Sequence, residues 1–255
     1  MTDIVIVNGA RTAMGGFQGS LATLSAPELG AASIQAAIQR AGLQPTDIEE
    51  VIMGCVLPAG LKQGPARQAM RQAGLPDSTG AVTINKLCGS GMKAVMQAAD
   101  AIKAGSASII VAGGMESMSN APYLLDKARS GYRMGHGKVT DHMFQEGLED
   151  AETGLSMGIL AQEMADKKGY TREQQDAFAI SSLNKAVTAI NNGYFKEEIV
   201  PVTVSTRKGD MVVEQDEQPL NAKADKIPTL RPAFKKDGTI TAANSSSISD
   251  GASAL

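Results

Sequence analysis

The 255-residue chain holds two cysteines and two histidines, and neither pair is spaced as a set of metal ligands. Two cysteines in a chain this long do not make a disulfide framework, and thirteen methionines suit a reducing compartment. There is no basic excess. Lys and Arg number 24 against 27 Asp and Glu, for a net charge of −3, so neither nucleic acid nor an anionic membrane is expected as a partner. No apolar run approaches the length of a membrane-spanning helix. The start, Met1-Thr2-Asp3-Ile4-Val5-Ile6-Val7, lacks the basic stretch and long apolar core of a secretion signal, so the cytoplasm is the expected location. No glycine-rich phosphate loop of the dinucleotide type is present.

What is there is an ordinary globular composition, 43% hydrophobic and 20% charged, with length for one large or two modest domains. Short apolar runs alternate with helical segments through the first third. Strands are expected at Ile4–Val7, Glu50–Gly54, Ala81–Ile84 and Ser108–Ala112. Ser25 caps a helix with Pro27 in its first turn and Gly42 as its stop. Its apolar residues form no narrow stripe, which implies burial on more than one side. Pro65–Ala73 is a second helix. Strands alternating with helices imply βαβ units around a largely parallel sheet, an α/β fold. Character changes after Gly113-Gly114. Residues 115–153 are weakly periodic and hold both histidines, His136 and His142, for which surface or interface roles are expected. Helices follow at Leu155–Lys168 and from the capping box Thr171-Arg172-Glu173-Gln174 to Gly193. Ile199–Val204 reads as a strand, with Pro201 marking an edge. Residues 205–238 read as polar and loop-rich. The segment from about 119 to 244 reads as an insertion into the first domain.

The most informative stretch is Asn85-Lys86-Leu87-Cys88-Gly89-Ser90-Gly91-Met92-Lys93. It places Cys88 on a tight turn between a strand and the first turn of a helix. Free backbone N–H groups and the positive end of the helix dipole favour a thiolate there, and the thiolate is the reactive form. Gly89 and Gly91 are expected to permit the sharp turn and a close substrate. Cys88 therefore reads as a nucleophile. Cys55, inside the apolar run Val51–Val56, reads as packing.

Several motifs in order extend this reading. The Cys88 turn, Gly113-Gly114-Met115-Glu116-Ser117-Met118-Ser119, Arg172–Ala179, Leu230-Arg231-Pro232-Ala233-Phe234 and Asn244–Gly251 resemble thiolases, as does Val7-Asn8-Gly9-Ala10-Arg11-Thr12-Ala13. The resemblance runs along essentially the whole chain and is nearest to acetyl-CoA acetyltransferases. It implies a layered α/β fold, with a core of residues 1–118 and 245–255 and a loop domain of 119–244 that contributes to coenzyme A binding. It implies acyl transfer through a thioester on Cys88, with acyl-CoA substrates, no cofactor beyond them, no metal, and a homodimer or homotetramer. On the coenzyme side it points to Ser156, Met157, Phe234, Ala242 and Ser246. Ser156 stands where many relatives carry histidine. Lys223, Lys226 and Arg231 read as solvated loop charges. A ketoacyl synthase relative is disfavoured by the Gly-Gly-Met-Glu-Ser-Met segment and the loop domain.

The resemblance also sets an expectation about the end of the chain. Thiolases continue into a second, similar half carrying Gly-His-Pro, Cys-Gly-Gly-Gly and Asn-Glu motifs, which supply the general base and the proton-shuttling cysteine. None of these is in the sequence, and Ala252-Ser253-Ala254-Leu255 reads as a strand cut short. The expectation is an N-terminal part with little turnover alone. The alternative is a non-catalytic or partner-dependent coenzyme A-binding half of a split enzyme.

Overall fold

A computed structural model describes residues 3–255; Met1 and Thr2 lie outside the described residues. The elements run β1 (Ala10–Arg11), β2 (Gly15–Gly16), α1 (Ala26–Arg40), β3 (Glu50–Gly54), α2 (Pro65–Gln72), β4 (Gly80–Ile84), α3 (Ser90–Lys103) and β5 (Ile110–Ser117). They continue with β6 (Tyr123–Leu124), β7 (Thr140–Asp141), α4 (Met157–Lys168), α5 (Arg172–Asn191), β8 (Val202–Thr206), β9 (Gly209–Val213), α6 (Glu217–Asn221) and β10 (Ser249–Ala254).

The central sheet has the order β1-β10-β5-β3-β4, and β2 also pairs with β10. Its faces follow from the two-residue period of a strand. Val51, Met53, Val111 and Met115 point to one side and pack with α1 and α2. Ile52 and Ala112 point to the other and meet Ala94 and Ala98 of α3. Ten of the fifteen residues of α1 are buried, as its broad apolar pattern predicts. The Glu28 carboxylate accepts from the Ser25 N–H (2.7 Å) and hydroxyl (2.6 Å), closing the start of that helix. On α3 the buried residues are Ser90, Ala94 and Ala98, a single i, i+4, i+8 stripe.

Three expectations are corrected. The sheet is mixed, not largely parallel: β3 pairs in parallel with β4 and β5, whereas β10 runs antiparallel to β1, β2 and β5. The run Ile4–Val7 forms no strand. Pairing with β10 begins only at Ala10, opposite Ala254, and Val5, Ile6 and Val7 are exposed. Residues 205–238 are not all loop, because β9 pairs antiparallel with β8 and α6 follows.

The chain leaves the sheet at Ser117 and re-enters it at Ser249, beside the strand it left. Between these points Arg11 anchors the excursion. Its guanidinium makes a two-pronged contact with Asp216 (2.7 and 2.9 Å), reaches Glu198 (2.7 Å) and lies 5.1 Å from the Phe195 ring centre. His136 is exposed, but His142 is buried, contrary to expectation. Pairing of β6 with β7 draws His142 inward, where its backbone N–H reaches Pro122 O and its Nε2 accepts from the Ala59 N–H at 3.4 Å. Among the described residues no helix is long and apolar enough to cross a membrane.

Candidate active site

The turn that carries Cys88 is closed by its own side chains. Asn85 Oδ1 accepts from the Leu87 N–H at 2.9 Å. Ser90 Oγ, in a buried residue, accepts from the Lys86 N–H at 2.8 Å and donates to Leu87 O at 2.6 Å. Leu87 is held at φ +49°, a left-handed conformation that a branched side chain seldom adopts. The conformational demand of the turn thus falls on Leu87 and not on Gly89, whose φ is −90°. Cys88 is exposed and unpaired, and sits two residues before α3. Gly89 and Ser90 turn their N–H groups onto Lys86 O and Leu87 O. Among the described residues no acceptor in the chain takes the N–H of Gly91 or Met92, so these two donors remain at the head of the helix.

Missing side chains let that helix head lie against the sheet. A Cβ on Gly54, at the end of β3, would meet Ser90 at 2.6 Å, and one on Gly114 would lie 3.3 Å from the Gly91 Cα. The glycines here serve close packing of backbone on backbone.

Cys88 opens onto a cavity of about 460 Å³ lined also by Arg11, Met14, Gly114, Glu116 and Asp250. Asp250 is fully buried and accepts from the Ser119 N–H (2.9 Å) and hydroxyl (2.6 Å). Glu116 accepts from the N–H groups of Val56 (2.8 Å) and Leu57 (3.0 Å) and lies 3.5 Å from Cys55 Sγ. Burial pushes its carboxyl above the ordinary range, opposed by those two N–H groups. Cys55 is buried, as expected of a packing residue; burial and then the neighbouring Glu116 push its thiol far up. The two cysteines are therefore chemically unlike. In the sequence Glu116 and Asp250 stand out only as parts of longer motifs. No local signal marks them, because their partners lie 60 and 131 residues away.

The five residues assigned to the coenzyme lie outside this cavity's lining and group around α4 and the 239–246 loop. Ser156 is the N-cap of α4 and accepts from the Ile159 N–H at 3.4 Å. Met157 is exposed beside it, and the Phe234 ring lies against Gly158 so closely that a Cβ there would overlap it. Farther along α4, buried Gln162 accepts from the N–H groups of Thr239 (2.8 Å) and Ile240 (3.0 Å). Asn244 donates to Asp176 (3.0 Å) and Thr239 O (3.0 Å) and accepts from the Thr241 N–H (2.7 Å). This lattice ties the segment holding Ala242 to α4 and α5. Ala242 and Ser246 are both exposed, and Ser246 precedes by three residues Ser249, which lines the Cys88 cavity. Phe234 is thus brought against the first turn of α4, which Ser156 caps and Met157 begins, whereas Ser246 is linked to the cavity only by its nearness in sequence to Ser249. No histidine is among the residues lining that cavity, and among the described residues no group of His, Cys, Asp and Glu is placed to hold a metal ion.

The chain is similar to known proteins. The chain is 54% identical to an acetyl-CoA acetyltransferase of Cupriavidus necator and 55% identical to one of Escherichia coli; each match covers all of this chain and 65% of the relative. A solved structure of acetyl-CoA acetyltransferase from Syntrophomonas wolfei superposes with a TM-score of 0.93 at 43% identity, over 98% of this chain and 63% of that one. The chain spans about 65% of the length of the curated relatives it matches. The model of the thiolase N-terminal domain matches residues 4–255, and with Cys88 set at the head of α3 above a mixed sheet, the chain belongs to the thiolase family.

Proposed function

We propose that this chain carries the nucleophile half of an acetyl-CoA C-acetyltransferase (a 3-oxoacyl-CoA thiolase in the cleavage direction), and that Cys88 is the acyl acceptor. The observation that carries this reading is Cys88 itself, exposed at the mouth of a cavity, with the free N–H groups of Gly91 and Met92 close by in sequence. In the first step the Cys88 thiolate attacks the acetyl carbon of acetyl-CoA. The carbonyl oxygen takes the negative charge, the carbon–sulfur bond to coenzyme A breaks, and the coenzyme leaves as its thiol once protonated. The acetyl group remains as a thioester on Cys88. In the second step a carbon nucleophile, formed by removing an α-proton from a second acetyl-CoA, attacks that thioester, releases acetoacetyl-CoA and restores the Cys88 thiolate. Coenzyme A thioesters are the substrates, and the sequence of steps needs no further cofactor.

The base that removes the α-proton is drawn from a second half or a partner chain, because no histidine lines the cavity. Residues 119–244 form a loop domain on a core of 1–118 and 245–255, and Ser156, Met157, Phe234, Ala242 and Ser246 line the path of the pantetheine arm. The pairing of β10 beside β5 supports that division, and the packing of Phe234 on Gly158 supports that path. The protein works in the cytoplasm as a homodimer or homotetramer.

Intact mass before and after incubation with acetyl-CoA tests the central claim. One acetyl group gained, and lost in Cys88→Ala, is the expected result. No gain by the folded chain leaves the alternative of a partner-dependent coenzyme A-binding half, and adding the second half of a relative in trans then decides between them.

A further inference from the structure

Glu116 lies on β5, remote in sequence from the Cys88 turn, yet a continuous set of hydrogen bonds joins the two. Its Oε2 accepts from the Val56 N–H at 2.8 Å and its Oε1 from the Leu57 N–H at 3.0 Å. These are the first residues after β3 and the adjoining Cys55, the segment that passes behind the nucleophile turn. Val56 O accepts from Asn85 Nδ2 at 3.4 Å, and the Oδ1 of the same amide accepts from the Leu87 N–H at 2.9 Å. A second link runs in parallel, from the Cys55 N–H to Ile84 O at 3.0 Å. The side chain of Asn85 thus spans from the segment that Glu116 holds to the strained residue that precedes Cys88.

We infer that Glu116 is a positioning residue for Cys88, acting through the backbone of Val56 and the side chain of Asn85. Leu87 at φ +49° keeps that conformation only where its surroundings over-determine it. The turn supplies part of this through Ser90, and Asn85 supplies the rest. Asn85 can hold its orientation only if Val56 O stays in place, and Val56 is pinned by the half-buried carboxylate of Glu116. An anionic acceptor suits this duty because it takes two adjacent N–H groups at once, where a neutral amide would offer one oxygen and set its NH2 against the second donor. His142 holds the far end of the same segment by accepting from the Ala59 N–H at 3.4 Å. Loosening the segment leaves Cys88 exposed as before, but it frees the turn that sets the Cys88 side chain on the cavity wall.

This inference rests on the reading of Cys88 as the acyl acceptor, and its test separates the two. Iodoacetamide measures the nucleophilicity of Cys88 without any coenzyme site, since the thiolate displaces iodide directly; Cys88→Ala reports the residual rate at buried Cys55. Glu116→Gln and Asn85→Ala are each expected to slow Cys88 alkylation about tenfold while the far-ultraviolet circular dichroism and melting profile show a folded chain. The double variant is expected to be no slower than the slower single variant, because both changes break one path. Where Glu116→Gln does not fold, Glu116→Asp, which keeps the charge but withdraws it by one methylene, carries the same test with a smaller expected slowing. Folded Glu116 variants that alkylate within about twofold of the parent, or single effects that multiply in the double variant, overturn the inference. Acetyl-CoA is then used in place of iodoacetamide. A parent chain that alkylates at Cys88 but gains no acetyl group counts against the acyl-acceptor reading alone and leaves the result on Glu116 standing.

Discussion

Two carboxyl groups line the Cys88 cavity, and their surroundings differ. Asp250 takes an N–H and a hydroxyl from Ser119, whereas Glu116 takes two N–H groups and sits beside an apolar-buried thiol. Burial holds the Glu116 proton more tightly in the folded chain than in the unfolded one, above the ordinary value of 4.5. The stabilising contribution of that bound proton is full below about pH 4.5 and is lost as the pH rises through the higher folded value. Urea midpoints of the parent chain are therefore expected to fall relative to those of Glu116→Gln from about pH 4.5 upward. Parallel pH profiles for the two proteins would contradict this. At this scale the position of Cys88 was legible, because a cysteine between a strand and a helix start announces itself within ten residues. Glu116 was not legible in its role, since a glutamate in a motif carries no mark of the backbone groups it will meet.

Among the elements, α4 does the most to hold the 239–244 segment in place. Gln162 is buried at mid-helix and its carbonyl oxygen accepts from two consecutive N–H groups of the 239–240 loop, while its amide reaches Asp166 (2.8 Å) and the Thr239 hydroxyl (3.1 Å). Gln162→Leu keeps the volume and leaves both N–H groups without an acceptor. The expected loss is about 1–3 kcal/mol in urea unfolding, with faster amide exchange confined to residues near Ala242. An unchanged midpoint would show that water replaces the side chain freely. The helices α4 and α5 were readable from caps and periodicity, to within two residues at each end. The β8–β9 hairpin was not. Most of β9 faces solvent, so its pattern lacks the apolar alternation that marks a half-buried strand, and only Val202, Val204 and Val213 enter the core.

Across the whole molecule, the 118–248 excursion is held to the sheet by charge as well as by packing. Asp216 receives both prongs of Arg11 and the Met14 N–H (2.8 Å), and Glu217 accepts from the N–H groups of Gly16 and Ser20 (2.9 Å each). The Arg11–Asp216 pair is mostly shielded from solvent, so its loss is not screened away. Asp216→Asn is expected to lower stability by about 1.5–3 kcal/mol and to raise protease cleavage within the excursion ahead of the core. Equal cleavage rates in parent and variant would place the tether elsewhere.

Local order sufficed for the α/β class and for helices α1 to α5, and ordered motifs sufficed for the family, because each of these is written in residues close together along the chain. The direction of β10 and the burial of His142 needed the folded chain, since both depend on which segment arrives alongside. The cavity wall belongs to the same class of fact. Cys88, Glu116 and Asp250 come from three separate strand ends, and only the sheet order β10-β5-β3-β4 sets those ends side by side.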